Sequence, residues 1–163
     1  MAKIRNKLPL TIDWNGVDGR EYYLDHLIKT HKWTRGIEVG VRFGRTLFHL
    51  LDRNPALIMY AVDMDISQFY DRDVQKKYND RLFVLEGDSS AQAVKITQPV
   101  DFIFIDAGHS TKSVTKDIVA YKDLVKTPNG LLGHDIDYPS IQRALNNLNI
   151  EYDVCPDNVW QQR

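Results

Sequence analysis

The 163-residue sequence contains very little cysteine: Cys155 is its one thiol. A single thiol cannot form a disulfide within the chain, so the composition favours a reducing compartment and a cytoplasmic location. We expect this thiol to be a small residue on a C-terminal strand, with a catalytic role as the alternative.

An excess of either charge is also absent. The 21 basic and 22 acidic residues leave a net charge of −1, and neither sign forms a long block. A protein dedicated to duplex DNA or to an acidic membrane surface normally carries a basic footprint. Nucleic acid is therefore not the expected partner, although the composition does not exclude a nucleic-acid substrate bound through a local basic patch.

Long apolar runs are missing as well. No run approaches the length of a membrane span, and the first ten residues, MAKIRNKLPL, lack the apolar core of a signal peptide. We therefore expect no membrane partner. The length fits a single domain over 1–163, with a core that needs neither metal nor disulfides. Residues 1–18 are mixed in character, and we interpret them as an irregular lead-in.

Short apolar runs alternate with amphipathic segments along the rest of the chain. Strands are predicted at 35–41, 56–64, 81–87, 100–107 and 131–135, and helices at 21–32, 45–53, 67–78, 90–96, from 113 to a break at 128–130, and 139–148. The apolar runs are nearly continuous, which indicates strands buried on both faces of a parallel sheet. Two closing strands follow, in EYDVC and NVWQQ. The prediction is an α/β fold: a doubly wound, Rossmann-like, mostly parallel sheet with helices on both faces and an antiparallel C-terminal strand.

Each of the five main strands runs into acidic residues where it ends. The ends read EVG at 38–40, DMD at 63–65, EGDS at 86–89, DAGH at 106–109 and HDID at 134–137. In sheets of this kind ligands bind beyond the carboxyl ends of the strands. One polar strand end needs no explanation, but five on one rim favour a binding site.

The turn after the first strand is the most informative of these ends. GIEVGVRFGRT has glycines at 36, 40 and 44, so the tighter G-x-G-x-x-G dinucleotide fingerprint is absent. Glu38 can attract a cationic amine, Gly40 permits close approach of a ligand to the backbone, and the turn amides around 42–46 can meet a carboxylate. The alternative is a plain strand-to-helix turn with structural glycines.

The next two strand ends suit a nucleoside. Asp63 is placed to accept both hydroxyls of a ribose, with Asp65 as its rival. Asp88 can accept from an adenine amino group while Ser89 flanks the ring, although capping of the next helix explains Ser89 or Ser90 equally simply. An amine, a carboxylate, a ribose and an adenine together describe S-adenosylmethionine rather than NAD or ATP.

The motifs IEVGVRFGRT, YAVDMD, EGDS, FIFIDAGHS and GLLGHD, in this order, resemble those of class I S-adenosylmethionine-dependent methyltransferases. The resemblance covers about residues 35–145, the predicted cofactor-binding core, and is greatest to the small-molecule O-methyltransferase branch with I-D-x-x-H-S and G-H-D motifs. It implies methyl transfer to a hydroxyl of a small-molecule acceptor. The candidate cofactor-binding residues are Glu38, Gly40, Gly44, Thr46, Asp63, Met64, Asp88, Ser89 and Asp106.

The resemblance also implies a metal. In related sugar and macrolide O-methyltransferases, the aspartate of the fourth strand and an acidic pair after the fifth bind a divalent ion. The matching residues here are Asp106, His134 and Asp135. Mg²⁺ or Mn²⁺ is the expected ion, and the imidazole in the set shifts preference towards Mn²⁺, Fe²⁺ or Zn²⁺. Adjacent residues on a strand point to opposite faces, so His134 and Asp135 can both face an ion only if the strand has already ended. Asp137 is an alternative ligand.

His109 is the base that the resemblance implies, since a hydroxyl acceptor must lose its proton. Asp106 beside it is a second catalytic candidate, because its carboxylate could orient the imidazole without any metal. Two other functions compete with this interpretation: binding of S-adenosylmethionine without methyl transfer, and hydrolysis by a metal site built on the same groups.

No segment of the sequence looks like a large substrate cap. We therefore expect the acceptor pocket to be shaped by nearby aromatic residues or by a second copy of the chain in a homo-oligomer. The aromatic candidates are Trp14, Tyr22, Tyr23 and Trp33, although such residues more often belong to the core or to a dimer surface.

Overall fold

The computed structural model describes residues 19–163, so the predicted lead-in at 1–18, including Trp14, lies outside the described residues. The strands are β1 (Arg35–Val39), β2 (Ile58–Asp63), β3 (Leu82–Glu86), β4 (Phe102–Ile105), β5 (Leu131–Gly133), β6 (Tyr152–Cys155) and β7 (Val159–Gln162). The helices are α1 (Arg20–His31), α2 (Arg45–Arg53), α3 (Arg72–Tyr78), α4 (Ser89–Gln92), α5 (Thr111–Tyr121) and α6 (Pro139–Asn147). None of the helices in 19–163 combines the length and the apolar character needed to cross a membrane.

The strands form one sheet in the order β3-β2-β1-β4-β5-β7-β6. β1 to β5 are mutually parallel, and β7 pairs antiparallel with both β5 and β6. The predicted fold class is therefore confirmed. Because the strand order reverses between β1 and β4, their carboxyl ends flank the crevice in which open α/β sheets bind ligands.

The four apolar residues of β4 show why the strand is hydrophobic throughout. Phe102 and Phe104 pack in the cluster that includes α1 and α2, whereas Ile103 and Ile105 pack in the cluster that includes α5 and α6. Successive side chains alternate between the two faces, and both faces are covered by helices. β4 is therefore core as far as Ile105, and the polar residues that follow it stand at the rim of the sheet.

Side-chain caps move two helix starts away from their predicted positions. The helix predicted at 67–78 is divided into a 3₁₀ turn, Ile66–Gln68, and α3, because the Asp71 side chain accepts hydrogen bonds from the amides of Asp73 and Val74. Likewise α5 begins at Thr111 rather than 113, with Ser110 as its N-cap.

Two of the aromatic residues considered for the acceptor pocket are part of the core. Tyr23 is buried; its hydroxyl donates to Gln161 Oε1 at 2.6 Å and lies 3.2 Å from Cys155 Sγ. Trp33 precedes β1 and stacks on Phe102. Tyr22 remains exposed and packs edge-on against His49. The buried Cys155 on β6 matches its expected place, and burial raises the pKa of its thiol to about 11.

Candidate functional site

A cavity of about 390 Å³ opens at the carboxyl ends of β1 to β4. Six of the nine candidate cofactor residues line it: Gly40, Asp63, Met64, Asp88, Ser89 and Asp106. The other three, Glu38 on β1, Gly44 at the N-cap of α2 and Thr46 in its first turn, are buried and do not line the cavity. The fold thus brings together residues that the sequence scatters over about 70 positions.

Gly40 is required where the turn after β1 meets the end of β4. Its φ of 87° lies in the left-handed region, and a side chain there would collide with the carbonyl oxygen of Asp106. The amide of Asp106 in turn donates to the carbonyl of Val39 at 2.8 Å. The two loops therefore pack backbone to backbone, which brings the glycine turn next to the Asp106 side chain.

Asp63 holds the glycine turn in place. Its Oδ2 accepts from the amides of Val41 at 2.7 Å and Arg42 at 2.8 Å, and its Oδ1 accepts from the amide of Asp65 at 3.1 Å. Asp65, the rival ribose ligand, caps the adjacent 3₁₀ turn. Each carboxylate oxygen can accept two hydrogen bonds, so these contacts leave one lone pair on Asp63 Oδ1 for a ligand.

The turn amides around 42–46 are less available for a carboxylate than we expected. The Arg42 amide is taken by Asp63, and the amide of Gly44 donates to the carbonyl of Val41 at 3.0 Å. The expectation is therefore wrong for these two amides: an acidic side chain and a tight turn already satisfy them.

Asp88, rather than Ser89 or Ser90, caps α4. It accepts from the Ser90 hydroxyl at 2.7 Å, the Ala91 amide at 3.1 Å and the Lys116 ammonium at 3.0 Å. These hydrogen bonds hold the pKa of Asp88 at about 2, and the bond from Ser90 has the largest effect. An adenine amino group would have to share this carboxylate with Lys116.

Ser89 faces a second carboxyl group that sequence reasoning did not identify. Its hydroxyl donates a short hydrogen bond to Asp117 on α5, and its carbonyl accepts from the Tyr121 hydroxyl at 2.6 Å. Asp117 is buried at the cavity wall, and burial raises the pKa of its carboxyl group. Asp117 lies on a helix and away from any strand end, so the sequence pattern did not indicate that it belongs to the cavity wall.

Asp106, His134 and Asp135 converge beside the cavity. One ligand atom from each lies within 4.8 Å of the others. His134 Nδ1 is 3.0 Å from Asp135 Oδ1 and 3.5 Å from Asp106 Oδ1. β5 has already ended at Gly133, and Asp135 has a left-handed φ of 59°, so both side chains can turn towards Asp106. Asp137 is exposed and lies outside this group.

The donor set of this cluster fits a divalent ion. Two carboxylates and an imidazole suit Mn²⁺, Fe²⁺ or Zn²⁺ better than the all-oxygen sets that Mg²⁺ prefers. Burial lowers the pKa of His134, but its hydrogen bond to Asp106 and the charge of that carboxylate outweigh burial and raise the pKa above its ordinary value. An ion bound through His134 requires the neutral imidazole.

His109 is paired with Asp135 and not with Asp106. Its Nε2 lies 2.7 Å from Asp135 Oδ2, and its ring lies against Tyr138 with 5.1 Å between centroids. The hydroxyl of Ser140 on α6 donates to the His109 carbonyl at 2.5 Å. These contacts tie the loop after β4 to the loop after β5, so the prediction that Asp106 orients the imidazole is wrong.

Two residues from the ends of the described chain complete the site and were not identified from the sequence. The Arg20 guanidinium lies 3.1 Å from Asp106 Oδ2. The Arg20 amide donates to Asp157 Oδ2 at 2.8 Å, and this oxygen lies 3.8 Å from His134 Nε2. Arg20 and Asp157 are 137 positions apart, so no local pattern could connect them.

A family model described as a methyltransferase domain matches residues 37–136, which include the ends of the five parallel strands. The chain belongs to this methyltransferase family. The motif-based assignment of the methyltransferase to the S-adenosylmethionine-dependent class is confirmed. Comparison with curated protein sequences finds no significant match.

Solved structures share the fold of this methyltransferase. A putative caffeoyl-CoA O-methyltransferase from Staphylococcus aureus is 12% identical, with a TM-score of 0.69 over 97% of this chain and 87% of that chain. The SAH-bound methyltransferase PaMTH1 of Podospora anserina is 18% identical, with a TM-score of 0.68 over 88% and 77%. MycE of the mycinamycin biosynthetic pathway, solved with Mg and SAH, is 18% identical, with a TM-score of 0.62. That match covers 86% of this chain and 49% of MycE, about half of the MycE length.

Proposed function

We propose that the protein transfers the methyl group of S-adenosylmethionine to a hydroxyl of a small molecule, with His109 as base and a divalent ion at Asp106, His134 and Asp135. One observation carries the proposal: Asp106 belongs both to the wall of the 390 Å³ cavity and to the acid–imidazole cluster. A donor in the cavity and an acceptor at the cluster would therefore meet at the same carboxylate.

Glu38 on β1, two residues before the cavity-lining Gly40, supports S-adenosylmethionine as donor. Glu38 is 2% exposed, and its Oε2 has no hydrogen-bond partner in the described part of the chain. Burial, then the charge of Asp106, raises the pKa of Glu38 well above its usual range. The ammonium group of a donor would supply the missing partner and favour the ionised form. The SAH in the similar PaMTH1 and MycE structures is consistent with this assignment.

Methyl transfer is an in-line displacement in which a C–O bond forms as the C–S bond breaks, leaving S-adenosylhomocysteine. The acceptor hydroxyl must lose its proton. Because His109 Nε2 faces Asp135 Oδ2, the N–H of the neutral ring belongs on Nε2, and Nδ1 is the atom left to accept that proton. Asp135 then stabilises the imidazolium. A positioned base of this kind contributes about 10²–10⁴-fold.

The cluster of Asp106, His134 and Asp135 would hold the ion. When bound, a divalent ion supplies positive charge that lowers the pKa of the acceptor hydroxyl. Mg in the similar MycE structure is in line with this role.

Binding of S-adenosylhomocysteine, measured by calorimetry, tests the donor assignment. No binding at millimolar ligand would refute it. The transfer step is then assayed as S-adenosylhomocysteine release with a panel of small phenols, sugars and alcohols. If the ligand binds but no acceptor is methylated, binding without transfer is the better description.

Two perturbations test the base and the metal. We expect His109→Gln to lower turnover by about 10²-fold or more while the affinity for S-adenosylhomocysteine stays within about twofold. His31→Gln, at the far end of α1, is the matched control and should leave both unchanged. A chelator should abolish turnover and added Mn²⁺ restore it. Full activity in chelator would remove the metal from the proposal.

A further inference from the structure

One nitrogen of the His134 imidazole lacks a hydrogen-bond partner. Nδ1 faces the carboxylates of Asp135, at 3.0 Å, and Asp106, at 3.5 Å. Nε2, on the other side of the ring, is buried and has no hydrogen-bond partner in residues 19–163. A buried polar atom of this kind is costly, so its position calls for an explanation. The Oδ2 atom of Asp157 lies 3.8 Å from it.

The place of the imidazole proton depends on which nitrogen serves as a metal ligand. Nδ1 is the ligand atom in the cluster, because it is the nitrogen that faces Asp106 and Asp135. A neutral ring carries one N–H, so a ring that offers the lone pair of Nδ1 has its proton on Nε2. That buried N–H then needs an acceptor. Asp157 Oδ2 can provide one, since an oxygen of this kind accepts two hydrogen bonds and the Arg20 amide uses one of them.

The turn between β6 and β7 holds Asp157 beside His134 through the backbone. Asp157 and Asn158 have left-handed φ values of 54° and 55°, as the central residues of a tight hairpin turn do. The Asn158 carbonyl accepts from the amide of Ile136 at 3.1 Å, so the turn is bonded to the same loop that carries His134. Shortening the 3.8 Å separation to an ordinary hydrogen bond of about 2.9 Å takes a movement of about 1 Å.

We propose that Asp157 is a positioning residue for the metal site: it accepts a hydrogen bond from the Nε2–H of His134 and so presents Nδ1 to the ion. The proposal rests on the divalent ion of the proposed function. Carboxylates often hold metal-binding histidines in this way, and loss of such a partner typically lowers metal affinity by about 10- to 100-fold. Because Asp157 also anchors the first residue of α1, the experiment must separate positioning from a purely structural role.

The affinity for Mn²⁺, measured by calorimetry on the chelator-treated full chain, tests the proposal without any assay of turnover. Asp157→Ala should bind Mn²⁺ about 10- to 100-fold more weakly than the wild type. Asp157→Asn keeps an acceptor oxygen and should recover part of this loss. Asp153→Ala is the matched control, because Asp153 lies on β6 and pairs with Arg163, and it should leave the affinity unchanged.

The same substitution in a His134→Glu background separates the two roles of Asp157. A glutamate still offers an oxygen ligand to Mn²⁺ but has no Nε2–H. In this background Asp157→Ala should therefore change the Mn²⁺ affinity by less than about threefold. An equal loss in both backgrounds would show that Asp157 acts by anchoring α1, and would overturn the proposal.

NMR of the imidazole nitrogens observes the proton directly, with Zn²⁺ as a d¹⁰ ion. The loaded wild type should carry the His134 proton on Nε2 and the ion on Nδ1, and Asp157→Ala should speed up exchange of that proton with solvent. A proton on Nδ1 would overturn the proposal whatever the affinities of the variants. If the wild type binds neither ion, the metal of the proposed function fails together with the inference. If it binds Mn²⁺ equally well with and without Asp157, the inference fails alone.

Discussion

Replacement of Gly40 by alanine tests the packing on which the candidate site depends. The new Cβ would lie 2.6 Å from the carbonyl carbon of Asp106 and 2.7 Å from Ala107 Cα. Both atoms belong to the backbone, so no side-chain rotation can relieve the contact. The φ of 87° adds the penalty of a left-handed residue, about 1–2 kcal/mol, and overpacking adds about 1–3 kcal/mol.

Together these contributions predict a loss of about 2–5 kcal/mol in the free energy of unfolding. With a urea m-value of about 2 kcal/mol/M, the midpoint should fall by about 1–2.5 M. The affinity for S-adenosylhomocysteine should fall as well, because the end of β4 must move away from the turn.

Gly108→Ala is the matched control at the same cavity. Its new Cβ would meet the Ser113 side chain, with Oγ at 2.7 Å, and a serine can rotate away. We expect a loss below about 1 kcal/mol. The reasoning is refuted if Gly40→Ala unfolds within 1 kcal/mol of the wild type and binds the ligand equally well.

Three further predictions concern stability. Burial raises the pKa of Asp101, but hydrogen bonds from two amides and from Lys126 outweigh burial and lower it. Asp101→Asn should therefore lower the free energy of unfolding by about 2 kcal/mol at pH 7. A carboxyl group with a depressed pKa stabilises the fold only while it is ionised, so urea titrations should show the difference between wild type and variant shrinking as the pH falls below about 4. A constant difference down to pH 2 would contradict this. Asp71→Ala should lose about 1 kcal/mol through the α3 cap, detectable as a lower thermal midpoint, whereas an unchanged midpoint would mean that the cap is not needed. Phe104→Ala should lose about 3–5 kcal/mol in urea unfolding, because its ring is fully buried, and a loss under 1 kcal/mol would show that the site collapses around the cavity.

The fold and the location of the site followed from local patterns. Continuous apolar runs indicated buried parallel strands, and a parallel sheet brings all its carboxyl ends to one edge. Strand-end residues such as Asp63 and Asp106 could therefore be placed together before any contact was known. The helix break at Asp71 was missed because a polar stretch gives a weak periodicity.

Which groups bind one another could not be predicted in the same way. Asp106 and His109 are three positions apart, and their spacing suggested a pair, but the loop after β5 delivers Asp135 to the imidazole instead. Side-chain partners depend on how two loops from different strands pack, and no periodicity records that. Arg20 and Asp157 were missed for the same reason, since each is ordinary in its own segment.

The hydrogen bond between the Arg20 amide and Asp157 has a consequence for synthesis. At about 5–20 residues per second, a ribosome needs on the order of ten seconds to make the 137 positions between these two residues. The glycine turn and the parallel strands can pair during that time, and α1 can pack against α2, whereas the Arg20 amide gains its bond to Asp157 only after the turn between β6 and β7 has emerged. A nascent chain stalled before Asp157 would therefore hold the first residue of α1, whose guanidinium pairs with Asp106, without this backbone hydrogen bond.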